Sequence, residues 1–378
     1  MIYLDNNATT ALAPSVAEAM SDALVRFFGN PSSTHAAGAE AKRAIDQARA
    51  AVASLLGARS ESEIVFTSGG TESDNWAIVG ALEANSRKRH IVTTRVEHEA
   101  VRKLCEKLEG SGCEVTWLDV DEYGHLDLDQ LRGSLKADTS IVSVMMANNE
   151  TGVMFPVAEI AAIVKESSNA LFHVDGVNAA GKTLIALKDT EIDLFSISAH
   201  KFHGPKGIGA LYVRDGVSIP PCLIGGGQER GRRAGTEAVH QIVGIGAAAE
   251  YAGDLSGLDA VRGLRDILEN RILDAVPETY LNGDRENRLP NTSNISFEGL
   301  NGEMLLHNLD RGGICVSTGS ACHSALHETS AVLQAMNIPY SRAMGSIRFS
   351  LSRLNRAEEI ETALAVVVRE VGKLREIA

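Results

Sequence analysis

Ser196-Ile197-Ser198-Ala199-His200-Lys201-Phe202-His203-Gly204-Pro205-Lys206-Gly207 is the stretch whose reading decides the fold. The apolar run from Ile192 to Ile197 reads as a buried strand, and Gly204, Pro205 and Gly207 punctuate the loop that follows it. That arrangement delivers Lys201 to the edge of a buried sheet. An amine there loses hydration, its charged form is disfavoured, and it becomes nucleophilic enough to condense with an aldehyde. The same twelve residues also fit a surface lysine behind an ordinary strand, so the reading rests on the chain around them.

Working outward, strands are predicted at Ile64–Thr67, His90–Thr94, Glu114–Leu118, Ile141–Met145, Leu171–Asp175, Leu194–Ser198 and Gly209–Val213. Helical patterns fall between many of them, at 72–84, 98–108 and 157–165, and two more precede them at 15–28 and 38–56. Strands alternating with helices predict an α/β fold with a large, mainly parallel seven-stranded sheet covered on both faces. A helix at 258–275 leads out of it into a smaller α+β unit with short strands near 293–297 and 346–350 and a C-terminal helix from Ala357. The predicted division is 15–257 for the large domain, and 1–14 with 258–378 for the small one.

In such sheets ligands sit beyond the carboxyl ends of the strands. The first such end runs into Thr67-Ser68-Gly69-Gly70-Thr71-Glu72, paired glycines at a helix start, which suits a phosphate or an ordinary capped turn. Leu171–Asp175 ends in an acid that can pair with a protonated pyridine nitrogen. Directly after it, Gly176-Val177-Asn178-Ala179-Ala180-Gly181-Lys182-Thr183 satisfies the P-loop pattern, but only about eight residues separate Thr183 from the next strand, too few for the long helix a P-loop needs. His98 opens a helix and either caps it, stacks on a planar ligand or moves a proton. Asn148-Asn149-Glu150-Thr151-Gly152 is a polar turn able to hydrogen-bond a cofactor hydroxyl. Gly225–Thr236, with five glycines and three arginines, reads as a mobile basic loop for an anion or an acidic partner. Ser317-Thr318-Gly319-Ser320-Ala321-Cys322-His323 consists of small residues with no apolar anchor, the setting of an exposed, reactive thiol. Arg348 alternates with apolar neighbours on a strand and either forks onto a substrate carboxylate or pairs with a nearby acid.

Composition narrows the classes. A formal charge of -13 argues against nucleic acid or an anionic membrane as the main partner. No apolar run reaches the ~18 residues of a membrane span, and the start shows no secretory pattern. The five scattered cysteines suit a reduced, cytoplasmic protein. Cys322, His323 and His327 have no second ligand cluster, so no metal is expected.

Together these blocks, with Tyr3–Thr10 and Gly29–Ser33, resemble the cysteine desulfurases of the NifS/IscS type, a branch of the class V aminotransferases that use pyridoxal 5′-phosphate. Asn287–Thr292 and Arg348–Arg353 look closest to the nitrogen-fixation branch. The resemblance implies the type I fold of pyridoxal-phosphate-dependent transferases. It implies a homodimer that turns L-cysteine into L-alanine and passes the sulfur, as a persulfide on Cys322, to an acceptor such as an iron–sulfur scaffold protein. It also implies that Lys201 joins the cofactor aldehyde and then moves the Cα proton, while His98 stacks on the ring. Asp175 pairs with the pyridine nitrogen, and Asn149 lies near the ring hydroxyl and the substrate. Gly70, Thr71, Ser198 and His200 surround the phosphate with Thr236 of the other subunit, and Arg348 grips the substrate carboxylate. Asn178 stands where the family usually has Gln, and His323 where it usually has Ser or Thr, which predicts a lowered Cys322 pKa. A selenocysteine lyase or another β-lyase is the alternative activity, and a non-catalytic scaffold the alternative class.

Overall fold

The structure is a computed structural model that describes residues 1–318 and 329–377. In chain order its strands are β1 (Ile2–Tyr3), β2 (Ile64–Thr67), β3 (His90–Thr94), β4 (Glu114–Leu118), β5 (Thr139–Ser143), β6 (Leu171–Asp175), β7 (Leu194–Ser198), β8 (Gly209–Val213), β9 (Thr279–Leu281), β10 (Thr292–Phe297), β11 (Ile314–Cys315) and β12 (Ser346–Ser350). Its helices are α1 (Pro14–Arg26), α2 (Ala36–Leu55), α3 (Gly70–Ala84), α4 (Glu99–Glu109), α5 (Leu128–Ser134), α6 (Val157–Ser167), α7 (Val239–Gly253), α8 (Leu258–Ala275), α9 (Gly302–Arg311), α10 (Ala331–Ala335), α11 (Tyr340–Ala343) and α12 (Ala357–Ile377).

Seven strands form one sheet in the order β2-β8-β7-β6-β5-β3-β4. The ladders among β3 to β7 are parallel, and β8 runs antiparallel to both β7 and β2. Because successive side chains leave opposite faces, each strand feeds two cores. Val92, Val142, Phe195 and Tyr212 join one core, together with residues of α1, α2 and α7. Their neighbours Ile91, Ile141, Leu194 and Leu211 join the other, against Trp76, Ile78 and Ala81 of α3 and Val101 and Cys105 of α4. The strand sequences are continuously apolar because both faces are covered.

Several elements depart from the sequence reading, which did not contain α5, α9, β1, β9 or β11, and two departures have a clear physical cause. Strand β5 starts at Thr139 and ends at Ser143, two residues earlier than the apolar run suggests. Beyond it, the Met145 N–H bonds the Glu97 carboxylate at 3.0 Å and turns the chain toward the site. Helix α7 was not predicted at all, because Gly244 and Gly246 dilute its pattern. They are there for packing: a Cβ at Gly246 would lie 2.6 Å from Ala48 Cα, and one at Gly244 would lie 2.8 Å from Met20 Sδ.

The second region holds an antiparallel sheet, β12-β10-β9, and the short parallel pair β1-β11. Its core gathers Leu4, Leu268, Phe297, Leu305, Phe349 and Val367. The N-terminal segment ties the two regions together. Asn6 bonds the Ser350 carbonyl at 2.9 Å, while the Thr10 N–H reaches the carbonyl of His200, beyond β7, at 2.8 Å.

Candidate active site

Strand ends β5, β6 and β7 and the start of α3 enclose a cavity of about 260 Å³. Gly70, Thr71, His98, Asn149, Asp175, Asn178, Ser198, His200 and Lys201, all singled out in the sequence, line it. Asp74, Met145, Ala147 and Val177 line it too, and were not foreseen.

Lys201 ends the short turn after β7, and its Nζ donates to the carbonyls of Asn7 at 2.6 Å and Ala8 at 3.1 Å. Burial, with Arg348 nearby, lowers its pKa to about 8, so part of the amine is unprotonated near neutrality. Asp175 Oδ1 accepts the Val177 N–H at 2.9 Å. Burial raises its carboxyl above the usual range, against the pull of His98 and Lys201. A buried acid held this way is ready for a cationic partner.

At the other end of the cavity α3 begins behind Gly69, with no side-chain cap. Its first amides therefore face the cavity with the positive end of the helix dipole. Gly69 has φ +153°, and a Cβ at Gly70 would strike Val177 Cγ2 at 2.7 Å. His98 caps α4 by accepting the Ala100 N–H on Nδ1 at 3.1 Å, which leaves the proton of the neutral ring on Nε2. The ring is solvent-accessible yet crowded, and desolvation keeps its pKa below the usual value. His200 Nδ1 sits 3.2 Å from Thr9 Oγ1, and burial pushes it down to about 4.

In the wall and behind it stand groups the sequence did not mark. Asp74 is buried, its carboxyl raised by desolvation and by Asp175, and its Oδ1 lies 3.5 Å from His173 Nε2 without a hydrogen-bond partner among the described residues. Glu97, pushed up to about 8 by burial, accepts from Thr94 Oγ1 at 2.7 Å. Glu150, pushed up to about 7 by burial, takes the Ser330 hydroxyl at 2.5 Å.

Arg348 is buried beside the cavity, donating to Asp5 Oδ1 at 2.7 Å and to the Asn149 carbonyl at 2.9 Å, while its Nε has no partner among the described residues. Asp5 could have been suspected only from its place in the Tyr3–Thr10 block. Thr236 is exposed and does not line this chain's cavity. The mobile basic loop is corrected, because its arginines are already engaged. Arg230 and Arg232 bond the Ser62 carbonyl, Arg233 bonds Glu72 at 2.9 Å, and buried Glu229 receives Arg49 through two contacts of 2.7 Å. Cys322 and His323 lie outside the described residues.

The residues fit pyridoxal phosphate: an uncapped helix start for the phosphate, a buried acid for the ring nitrogen, and a desolvated lysine for the aldehyde. A lysine-bearing α/β enzyme with this cavity is the class that fold and site define. The class-V aminotransferase family matches residues 2–363, and the chain belongs to it. That family uses pyridoxal phosphate, and within it the chain groups with the NifS/IscS-type cysteine desulfurases. A cysteine desulfurase of Nostoc sp. is 51% identical, covering 100% of this chain and 94% of its own length. The cysteine desulfurase NifS of Azotobacter vinelandii is 47% identical, with 100% and 94% covered. Among solved structures, a NifS-like protein superposes with a TM-score of 0.92 at 40% identity, covering 99% of this chain and 100% of its own. SspA in complex with cysteine superposes at 0.83 with 34% identity, covering 93% and 99%.

Proposed function

We propose that the chain desulfurates L-cysteine, yielding L-alanine and a persulfide on Cys322 that an acceptor protein then consumes. The observation that carries this is the single cavity shared by Lys201, Asp175 and the uncapped start of α3. Bound there, pyridoxal phosphate would supply an electron sink that labilises the substrate's Cα–H and Cβ–S bonds.

The chain's own residues would do the rest. The first amides of α3, with Thr71, Ser198 and His200, would hold the phosphate, and Asp175 would keep the ring nitrogen protonated. Lys201, partly neutral near pH 7, has the free electron pair needed to take and return a proton at Cα. His98 would cover the ring and present its Nε2–H. Asn178 is held toward Asn148 and Lys182, so Asn149 is the nearer candidate for the ring hydroxyl. Arg348, whose Nε has no partner among the described residues, would exchange its contact to Asp5 for the substrate carboxylate. Sulfur would leave Cβ for the Cys322 thiolate. The step is balanced and redox-neutral, because one cysteine and one thiol become one alanine and one persulfide.

The exposure of Thr236 supports a homodimer in which that residue serves the neighbouring copy's phosphate site. The core of Leu4, Val261, Phe297 and Val367 supports a small domain of 1–14 and 258–378, from which Ala13, Leu289, Val332 and Leu333 reach into the core of the large domain at 15–257. Among the described residues no helix is long and apolar enough to cross a membrane. A cytoplasmic setting and delivery of sulfur to iron–sulfur cluster assembly complete the reading. The test is an assay with L-cysteine. Alanine should form in step with sulfide when reductant is present, and Cys322→Ala should abolish both. Sulfide release that survives in Cys322→Ala would overturn the role of that thiol.

A further inference from the structure

Lys182 belongs to the loop whose sequence imitates a P-loop, and the reaction above leaves it without a task. It is 8% exposed, and no carboxylate bridges it among the described residues. Its Nζ donates to Asn178 Oδ1 at 2.9 Å and to Asn7 Oδ1 at 3.2 Å. Burial and the nearby charges of Lys201 and Arg348 hold its pKa well below the ordinary lysine value. Both of its hydrogen bonds go to side-chain amide oxygens.

Asn7 is where this matters. Its side-chain oxygen faces Lys182, and its main-chain carbonyl receives the Lys201 amine at 2.6 Å. The amide cannot turn over, because Nδ2 donates to Thr292 Oγ1 at 2.8 Å and Oδ1 also accepts from Asn291 at 3.0 Å. On the other side, Asn178 answers Lys182 with its oxygen and sends Nδ2 to the Asn148 carbonyl at 3.3 Å, next to Asn149. One buried amine thus braces both walls of the cavity from behind.

We propose that Lys182 is a positioning residue of the site: it holds the Asn7 carbonyl against the amine of Lys201 and holds Asn178 against the wall that carries Asn149. The proposal rests on the pyridoxal-phosphate reading of the cavity. It also gives the lysine of the P-loop pattern a role that needs no nucleotide.

The test uses the full chain stripped of cofactor, with the pH dependence of pyridoxal phosphate capture read by absorbance. Arg348, Asp175, Asp5, His98 and His200 also surround Lys201 and stay unchanged throughout. In Lys182→Met the Asn7 carbonyl loses its brace, so protonated Lys201 loses part of its acceptor and the capture midpoint falls by about half a unit or more. Cofactor affinity drops about tenfold, a change of ~1.4 kcal/mol. Asn178→Ala keeps the amine and removes one of its two acceptors, and should shift the midpoint in the same direction by less; if Lys182→Met does not fold, this variant decides. An unchanged midpoint in a folded variant overturns the proposal. A midpoint that rises also overturns it, because it would mean that Lys182 acts as a repelling charge. Should the wild-type chain itself fail to capture the aldehyde, the underlying reading falls instead.

Discussion

Two glycine-bearing loops leave strands β2 and β6 of the large sheet, which β8 and β7 separate, and only one of them fits the phosphate-binding consensus. Gly176–Thr183 matches a phosphate-binding pattern, yet its lysine is buried behind the site and only a short turn at Leu187–Asp189 precedes β7. Thr67–Thr71 lacks that consensus and offers only paired glycines at a helix start, yet it opens a 15-residue helix whose uncapped N-terminus faces the cavity. Amides aimed at a ligand come from a strand, a sharp turn and a long helix in that order, and glycine spacing alone cannot supply them.

The comparison can be broken most forcefully at its junction, Asp175, the last residue of β6. Asp175→Asn should keep the fold but remove the charge-assisted partner of the ring nitrogen. Turnover should fall on the order of a hundredfold, matching the ~3 kcal/mol of a hydrogen bond to a charged group; a loss below threefold would detach Asp175 from the chemistry. Next, Gly70→Ala should weaken pyridoxal phosphate binding about tenfold with only a small loss of Tm, because its Cβ meets side chains alone, Val177 Cγ2 at 2.7 Å and Ser198 Cβ at 3.6 Å. Gly181→Ala should do the reverse. At φ +73°, with Ala252 Cβ at 2.7 Å, it should cost roughly 1–3 kcal/mol of stability and leave affinity nearly intact. Exchanged outcomes would mean that the loop roles have been assigned backwards.

The smallest effect belongs to Glu97. Its folded pKa of about 8 lies above its unfolded value, so the folded chain holds a proton that the unfolded chain releases. That stabilising contribution is complete below the unfolded pKa and is lost as pH rises toward 8. Glu97→Gln keeps the acceptor for Thr94 and Met145 and should flatten the decline in Tm across that interval. An identical slope in both proteins would place the titration elsewhere.

Much of this was readable from the chain because the large sheet is buried on both faces. Six of its strands, β2 among them, have the predicted bounds, with Asp175 closing β6 and Lys201 three residues beyond β7. What escaped depends on tertiary partners. Asp5 meets Arg348 across 343 residues. Strands β1 and β11 pair through only two registers. The three arginines of the 225–236 loop looked free because nothing local shows that Ser62, Ile64 and Glu72 lie beneath them. Asp74 carries no local signal, and only the folded chain brings it to the cavity wall.

The central claim is that sulfur moves from a substrate held at Lys201 to the thiol of Cys322. Mass spectrometry of the protein after one turnover with L-cysteine, without reductant, tests it directly. One added sulfur atom on the peptide containing Cys322, present in the wild type and absent in Lys201→Ala, is the predicted result. Alanine produced with that peptide unmodified, or with the sulfur on another cysteine, would contradict the account.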